Sequence, residues 1–389
     1  MKICILTPRF PMPENGGDVL RINNIARYLK SRGHELVLVS YYDEKPNTEQ
    51  ARTIYDHIYT IRRKPINSLI YSFLFMITGK PIQSGYYYSP GFLKLFKQVV
   101  NKEQPQLFIA HLARMASFLE KTHLEEKSII EMTDALSKTY ALSAGAKGSW
   151  LKRLIYSIEK TLIKRHECHI VNSFPKVVLV SQADIDYLRQ NASGNGASLH
   201  LHTNGVVCQP NPHATYNPNK ICFVGNMRTL QNQDAVLHFV NNIFPIILQQ
   251  QPHARFYIVG AQPPRHIQEL DNQQNVFVTG FVDNLAAAIG DSCIAVAPVN
   301  VAAGIQNKVL VAMGTRLPVV LTPLIAKAIP ELQDGENCLI RNEARDFAQA
   351  CLQLMTNSNL RQSMAREGYN MVSHHYSWNS LLAGYEEFH

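Results

Sequence analysis

Residues 304–313 combine a glycine, two amide side chains and a lysine in an order that suits a diphosphate site. Gly304 opens a loop that leads into a short helix predicted over 306–313, and Lys308 lies in its first turn. A helix N-terminus presents unpaired backbone N–H groups and partial positive charge. A cation is unfavourable there unless an anion lies nearby. The pattern therefore predicts that this loop and Lys308 bind a diphosphate.

Several familiar catalytic motifs are absent from the sequence. No G-x-G-x-x-G follows a predicted strand, and there is neither a P-loop nor a G-x-S-x-G elbow. No acidic pair of the D-x-D type is present, so a metal-bridged diphosphate is not expected. Residues 166–169 (His-Glu-Cys-His) lack a second ligand cluster and do not predict a metal site. We expect no metal and no cofactor, with lysine, arginine and helix ends binding the phosphate.

Composition and length indicate a folded protein of two domains. The chain has 389 residues, of which 46% are hydrophobic and 17% charged. Its seven cysteines are scattered and form no C-x-x-C pair, which favours a reducing compartment. The first apolar run, residues 3–7, is typical of a strand rather than a secretion signal. These features predict a cytoplasmic protein.

The net charge of +8 is unevenly distributed. Residues 61–100 contain six basic residues, no acidic residue, and a mixture of aromatic and aliphatic side chains. Such a segment suits the anionic inner face of the cytoplasmic membrane or an anionic acceptor. A solvated helix beside a buried one explains the pattern equally well. Nucleic acid is a third partner, but no nucleic-acid-binding module is present, so no nucleic-acid partner is predicted.

The alternation of apolar runs with amphipathic stretches predicts an α/β protein with two doubly wound domains that face each other across a cleft. In the first half, strands are predicted over residues 3–7, 35–41, 54–61, 107–111, 128–132, 177–181 and 198–202, with helices such as 19–31 and 150–172 between them. A proline- and asparagine-rich link follows near residue 209. The predicted domains cover residues 1–208 and 209–375, and residues 376–389 form a helix that crosses back to the first domain.

The second half repeats the same rhythm, and three of its strands end in glycine. Strands are predicted over residues 221–224, 256–259, 276–279, 293–297, 318–321 and 338–340. Helices are predicted over residues 234–249, 265–270, 284–289, 306–313, 344–356, 359–373 and 378–388. The strand-end glycines, which include Gly225, suit loops at the carboxyl edge of a parallel sheet, where ligands bind.

The order and spacing of these pieces resemble retaining glycosyltransferases of the GT-B fold in the broad family 4 group. The sequence is most similar to the sugar transferases associated with bacterial exopolysaccharide and PEP-CTERM export clusters. The resemblance rests on residues 8, 16–17, 21, 33–35, 78–81, 86–90, 223–227, 234–236, 278–282, 304–310 and 376–378. It implies a metal-independent hexosyltransferase in polysaccharide assembly: the second domain binds a nucleotide-sugar, and the first binds a glycan or lipid-linked acceptor.

The resemblance also implies roles for individual residues. The implied catalytic residues are His111, Arg228 and Lys308. The implied donor-binding residues are Gly16, Gly17, Gly225, Phe281, Val282, Gly304, Ile305, Gln306, Asn307 and Val311. Arg21 and Asp134 are expected on the acceptor side.

The signature segment departs from the family pattern at two positions. Members usually carry two glutamates there, and this chain has Ala303 and Val311 instead. Valine cannot accept hydrogen bonds from a ribose diol, and each unpaired hydroxyl costs about 1–3 kcal/mol. Three hypotheses follow. The first is an active transferase, with a dTDP-sugar as one candidate donor. The second is a degenerate transferase that binds a partner or a glycan without turnover. The third is a sugar-nucleotide epimerase, for which Glu131 and Asp134 are the nearby acids.

Overall fold

The chain forms two compact α/β units. The computed structural model describes residues 1–14, 16–143, 150–192, 198–209, 216–300 and 305–388. The first unit contains Met1–Asn204 and Leu381–His389, and the second contains Gly205–Ser380. This division lies four residues before the predicted one because the backbone after Asn204 bonds within the second unit: Val206 N donates to Tyr376 O (2.9 Å) and Gln209 N to Gly314 O (3.1 Å).

The first unit is built on a seven-stranded parallel sheet with the order β3-β2-β1-β4-β5-β6-β7. The strands are β1 Lys2–Thr7, β2 Glu35–Tyr42, β3 His57–Arg62, β4 Leu107–His111, β5 Ser128–Thr133, β6 Lys176–Leu179 and β7 Leu199–Leu201. The central strands are almost wholly apolar because helices cover both faces of a parallel sheet. All seven strands occur where the sequence predicts them, although β3 begins at His57 rather than at residue 54.

In the described residues of the first unit, eight α-helices surround the sheet. They are α1 Gly17–Ser31, α2 Pro65–Ile77, α3 Ile82–Tyr87, α4 Pro90–Glu103, α5 Ala116–Glu120, α6 Leu136–Ser143, α7 Trp150–Ser173 and α8 Gln182–Asn191. Short 3-10 turns cover Ala51–Thr53, Ala113–Met115 and Glu125–Lys127. Helix α3 packs so closely on α2 that a Cβ on Gly85 would lie 2.3 Å from the Tyr71 carbonyl oxygen.

The second unit repeats the design with a six-stranded parallel sheet in the order β10-β9-β8-β11-β12-β13. Its strands are β8 Asn217–Val224, β9 Arg255–Val259, β10 Val276–Gly280, β11 Ser292–Ala297, β12 Val319–Leu321 and β13 Leu339–Ile340. In both units the strand order reverses beside the first strand, which is the arrangement of a Rossmann-like domain. The predicted fold class, two doubly wound α/β domains, is confirmed.

The helices of the second unit lie near their predicted positions, except that Pro323–Ala326 has no predicted counterpart and that the helices predicted over 234–249 and 378–388 are each interrupted. They are α9 Leu230–His238, α10 Phe244–Gln250, α11 Arg265–Gln268, α12 Leu285–Ile289, α13 Asn307–Gly314, α14 Pro323–Ala326, α15 Ala344–Thr356, α16 Ser358–His375 and α17 Trp378–Leu381. The single helix predicted over 234–249 is interrupted by a π-helical turn, Phe239–Ile243. Pro245, in the first turn of α10, lacks the N–H that an uninterrupted helix needs.

The C-terminal segment differs from the continuous helix predicted over 378–388. Helix α17 ends at Leu381, and a 3-10 segment, Ala383–Phe388, follows it within the first unit. Gly384 lies against the His202 ring, where a Cβ would be 2.7 Å from Cε1. This close packing explains why a glycine interrupts the helical pattern here.

Candidate functional site

The second unit brings its predicted phosphate-binding residues to the switch point of its sheet. Strands β8 and β11 are neighbours, and the chain leaves them in opposite directions along the sheet. Gly225 follows β8 directly, and Lys308 lies on α13, the helix after β11. Ligands of open α/β sheets bind at such a crevice, outside the carboxyl ends of the strands.

The Lys308 ammonium faces the interior of the second unit. Its Nζ donates a hydrogen bond to Oδ1 of Asn232, a buried residue in the first turns of α9. It also lies 5.1 Å from the centre of the Phe223 ring on β8. Among the described residues, no carboxylate forms an ion pair with it. Burial lowers the pKa of Lys308 from 10.5 to about 8.

Close backbone approach shapes the carboxyl edge around this lysine. A Cβ on Gly260 would lie 1.8 Å from the Gly225 carbonyl oxygen, and a Cβ on Gly225 would lie 2.7 Å from Nδ2 of Asn232. Only glycine fits both positions. Asn232 Nδ2 in turn donates to the Asn226 carbonyl oxygen at 2.8 Å, which fixes the amide that holds Lys308.

Asn232 is a member of this cluster that the sequence analysis missed. Its signal is weak: one amide among several in a helix that follows a strand-end glycine. By contrast, Arg228, predicted as catalytic, lies on the loop after β8 with an exposed side chain. Its backbone N–H donates to Oδ1 of Asn226 at 3.0 Å. The structure therefore places Arg228 at the correct edge without giving it a phosphate-binding geometry.

The remaining predicted donor residues lie along the same edge or just outside the described part. Ile305 and Asn307 are exposed beside the start of α13, whereas Gln306 is buried. Val311 is half-buried, one turn into α13. Ala303 and Gly304 lie outside the described residues. Phe281 and Val282 follow β10: the phenyl ring is 69% exposed, and Val282 packs partly against the core.

The first unit has its own switch point, between β1 and β4, and His111 ends β4 there. The imidazole is 2% exposed, and in the described structure neither ring nitrogen has a hydrogen-bond partner. Burial lowers the pKa of His111 to about 4, so the ring is neutral at pH 7. A buried neutral imidazole without partners has one donor and one acceptor available to a ligand.

The predicted glycine loop precedes α1 at the same edge. Gly16 has φ of +114° and caps α1, and both Gly16 and Gly17 are exposed. A Cβ on Gly16 would lie 2.9 Å from Nη2 of Arg9, which pairs with Asp18 in the first turn of the helix. Arg9 is thus a second cation at a strand end that the sequence analysis did not single out.

Arg21, expected on the acceptor side, lies in a closed structural cluster instead. Its guanidinium and the Glu131 carboxylate are both 0% exposed and form two hydrogen bonds, Nε to Oε2 at 2.6 Å and Nη2 to Oε1 at 2.9 Å. Asn204 accepts from Nη1, and the Tyr385 hydroxyl donates to Glu131. The prediction for Arg21 has no support here because every face of the guanidinium is occupied. Asp134, one residue past β5, is exposed.

One group of described side chains has the composition of a metal site: Glu35, His57 and Glu103. It lies at the amino edge of the first sheet, and the Lys2 ammonium lies 3.1 Å from Glu35 and 3.0 Å from Glu103. A lysine between two carboxylates supplies the positive charge that a metal would bring. The group is therefore an ion-pair network, and metal independence of the reaction stays a prediction.

Known proteins resemble this chain in the sequence of its second unit and in its overall fold. Residues 218–357, from β8 to the end of α15, match the family model for glycosyl transferases group 1. Anabaena Alr3699/HepE in complex with UDP superposes with a TM-score of 0.61 over 100% of this chain and 99% of that one, at 13% identity. The sucrose-phosphate synthase of Thermosynechococcus elongatus gives 0.61 over 99% and 97%, at 14% identity. This protein has the GT-B fold.

The matched region lies within the second unit of this GT-B protein, which is therefore similar in sequence to group 1 glycosyl transferases. It contains Gly225, Asn232 and Lys308 and the strands that position them. A relative over the whole length is the uncharacterized 44.6 kDa protein in the cps region of Klebsiella pneumoniae, 22% identical over 98% of both chains. The GT-B architecture is confirmed, and the narrower placement in family 4 or in an export-cluster subgroup stays a prediction.

Proposed function

We propose that this GT-B protein is a retaining glycosyltransferase that transfers a sugar, of hexosyl type, from a nucleotide-sugar to a glycan or lipid-linked acceptor. The sequence similarity of the second unit to group 1 glycosyl transferases supports the transferase class. The relative in a cps region supports a role in surface polysaccharide assembly. We propose that this role is performed on the cytoplasmic side of the membrane. The complexes of HepE with UDP and with UDP-glucose support a nucleotide-sugar donor.

The observation that carries the proposal is the position of Lys308. Its ammonium is partly desolvated at a sheet switch point, beside a helix N-terminus, and its only described polar partner is a neutral amide. A diphosphate would supply the missing anionic partner and raise the pKa of Lys308 back towards its ordinary value.

The same geometry suits the chemical step. When the glycosidic bond to the nucleotide breaks, negative charge develops on the leaving diphosphate, and no proton needs to reach it if cations and N–H groups are already in place. Lys308 and the amides that open α13 are such groups. Losing one preorganised donor of this kind typically costs about 10²–10³ in rate. We further propose that the reaction needs no metal, since lysine and backbone amides carry out the charge stabilisation.

A degenerate transferase that binds without turnover is the second candidate. Val311 favours it, because a valine side chain cannot accept a hydrogen bond from a ribose hydroxyl. An epimerase is disfavoured, because Glu131 already pairs with Arg21 and Tyr385. We rank the active transferase first.

Titration calorimetry with UDP-, GDP-, ADP- and dTDP-sugars tests the proposal. We expect one donor to bind with micromolar affinity, equally well with and without EDTA. Slow release of the free nucleotide from that donor, which accelerates when acceptor is added, distinguishes turnover from binding. No heat of binding with any donor or free nucleotide would refute the active transferase and favour the degenerate transferase, which binds a partner or a glycan instead.

Val311→Glu is the matched variant for the nucleotide. Because Val311 is only half-buried, a glutamate at this position can keep its carboxylate in contact with solvent. We expect it to tighten UDP by about fivefold to tenfold, through one charge-assisted hydrogen bond, and to leave dTDP, which lacks the 2′-hydroxyl, closer to the parent value. Equal effects on both nucleotides would place position 311 away from the ribose.

We also propose that the first unit lies on an anionic membrane surface through residues 61–100. Among the described residues, no helix has the length and apolarity that spanning a bilayer requires. Helix α2 instead exposes one apolar face, made of Ile66, Leu69, Ile70, Phe73, Leu74, Met76 and Ile77. Co-flotation with phosphatidylglycerol vesicles, lost in Leu69→Ser/Phe73→Ser and absent with phosphatidylcholine, tests this contact; flotation of the variant like the parent would refute it.

A further inference from the structure

A cavity of about 440 Å³ lies in the first unit beside the end of α2. Its walls come from α2, α3, α5 and α7, and its volume is that of an ordinary small-molecule site. It is distinct from both switch points, and neither the donor chemistry nor His111 uses it. Phe75, Pro81 and Leu162 give it an apolar wall.

Three cations line the same cavity: Lys80, Lys121 and Arg165. In the part of the chain that the structure describes, none of them forms an ion pair with a carboxylate. Lys80 and Lys121 lie over aromatic rings, 5.7 Å from the centre of Phe75 and 5.2 Å from that of Tyr88. The cavity therefore carries an excess of positive charge beside apolar surface.

One carboxylate, Glu120, also lines the cavity, and it has its own basic neighbour. Its Oε1 lies 3.2 Å from Nε2 of His169. Glu120 offsets one of the three cations at most, so the cationic side chains still outnumber the carboxylate in the lining.

Among the described residues that line the cavity, three buried polar atoms lack hydrogen-bond partners: Glu120 Oε1, and one atom each of Ser117 and His166. Ser117 is 6% exposed, and its Oγ makes no hydrogen bond. His166 bonds to the Ala113 backbone, and its Nε2 is buried without a partner. Unsatisfied buried polar atoms are uncommon in native proteins and indicate a missing ligand or solvent molecule. A hydroxyl donor and an imidazole at one wall suit the oxygens of a phosphate group.

We propose that this cavity binds one phosphorylated amphiphile, a molecule with an apolar chain and an anionic phosphate head. The chain lies against Phe75 and Leu162, and the phosphate lies among the three cations with Ser117 as an additional donor. Residues 79–81, which line the cavity, directly follow α2, whose opposite face is apolar and exposed. The cavity therefore lies directly beside the helix through which we propose that the first unit contacts a bilayer.

Two sources share this chemistry: a phosphate monoester of a single isoprenoid chain, of the kind that carries glycans, and a glycerophospholipid of the bilayer. The proposal goes beyond the transferase reaction, because a lipid site exists whether or not a sugar is transferred. Donor binding, measured on the same samples, keeps the failure of one proposal separate from the failure of the other.

Calorimetry with farnesyl phosphate, farnesol and inorganic phosphate tests the site. The two farnesyl compounds are used below the concentrations at which they aggregate. We expect farnesyl phosphate to bind, farnesol to bind at least about tenfold more weakly, and inorganic phosphate to give no detectable heat, since both parts of the ligand contribute. Monomeric dihexanoyl-phosphatidylglycerol identifies the source: binding as tight as that of farnesyl phosphate indicates a bilayer lipid, and weaker binding indicates the monoester.

Variants locate the binding. Lys121→Gln/Arg165→Gln removes two exposed cations and should weaken farnesyl phosphate by about tenfold or more, while farnesol stays unchanged. Ser117→Ala, a small change that keeps the fold, should weaken the binding of farnesyl phosphate and leave that of farnesol unchanged. Lys94→Gln, an exposed cation on α4 outside the cavity, is the matched control. Equal binding of farnesol and farnesyl phosphate, no binding of either lipid phosphate, or unchanged affinity in the folded double variant would overturn the proposal.

Discussion

The two units treat buried charge in opposite ways. In the first, Arg21 meets Glu131 through two hydrogen bonds, and Asn204 and Tyr385 complete the cluster. In the second, Lys308 has an amide and a ring face but no carboxylate among the described residues. The sequence analysis expected both Arg21 and Lys308 to bind ligands. Of these two cations, Lys308 is the one whose charge no described carboxylate neutralises.

This difference separates structural charges from functional ones. In a buried ion pair whose donors are all satisfied, each charge compensates the other. Removing one partner leaves the other buried without compensation and exposes its full desolvation cost. A partly buried cation without an anion is a cost that the folded protein carries constantly. Such a cost persists where a ligand brings the missing charge, which is why perturbed groups concentrate at functional sites.

The largest effect is expected from breaking the paired cluster. Glu131→Gln keeps the shape of the side chain but leaves the Arg21 guanidinium buried without an anion. We expect the free energy of unfolding to fall by about 3–5 kcal/mol, measured by urea denaturation. Affinity for a donor nucleotide should be unchanged in the fraction that remains folded, because the cluster lies in the first unit.

Glu269→Gln is the control for this variant. Glu269 pairs with Arg265 on the surface of α11, where both side chains are mostly exposed. Its loss should change the free energy of unfolding by no more than about 0.5 kcal/mol. If Glu131→Gln behaved like this surface variant, Arg21 would have to be hydrated. Arg21 would then be available to bind the acceptor substrate, as the sequence analysis expected.

The sequence predicts the strands of both units well because their signals are local. Each strand is a short apolar run, and several end in glycines whose reason is visible in the structure, as at Gly260. The start of α13 and the inward position of Lys308 also follow from local pattern: a loop, a helix start, and a cation that needs an anion. Periodicity and turn chemistry are sufficient for these features.

The features that the sequence does not predict depend on long-range partners. Arg21 and Glu131 are 110 positions apart, and Lys308 and Asn232 are 76 apart. No local pattern indicates that the first pair closes on itself while the second leaves a charge open. The segment 61–100 shows the same limit: its composition suggests a membrane or a solvated helix, and only the packed structure reveals which face of α2 is apolar and exposed.

A smaller effect, and a sharper test of the comparison, comes from the pH dependence of Lys308. Its pKa is lowered to about 8 in the folded protein and is near 10.5 when unfolded. Between these values the unfolded chain binds more protons, so the stability of the parent protein rises with pH across that window. Lys308→Met removes this dependence. The free energy of unfolding of the variant minus that of the parent should therefore fall by about 1–2 kcal/mol from pH 8 to pH 10.5.

The pH slope isolates the charge from the other consequences of the substitution. Losing the hydrogen bond to Asn232 alters stability by an amount that does not depend on pH, whereas desolvation of the ammonium does. Lys327→Met, at an exposed lysine of the same unit, should show no such slope. Saturating UDP should flatten the slope in the parent by holding the ammonium protonated, and affinity for UDP should fall as the pH rises through about 8. If UDP binds but the slope persists, the diphosphate lies elsewhere, and Lys308 is as structural as Arg21.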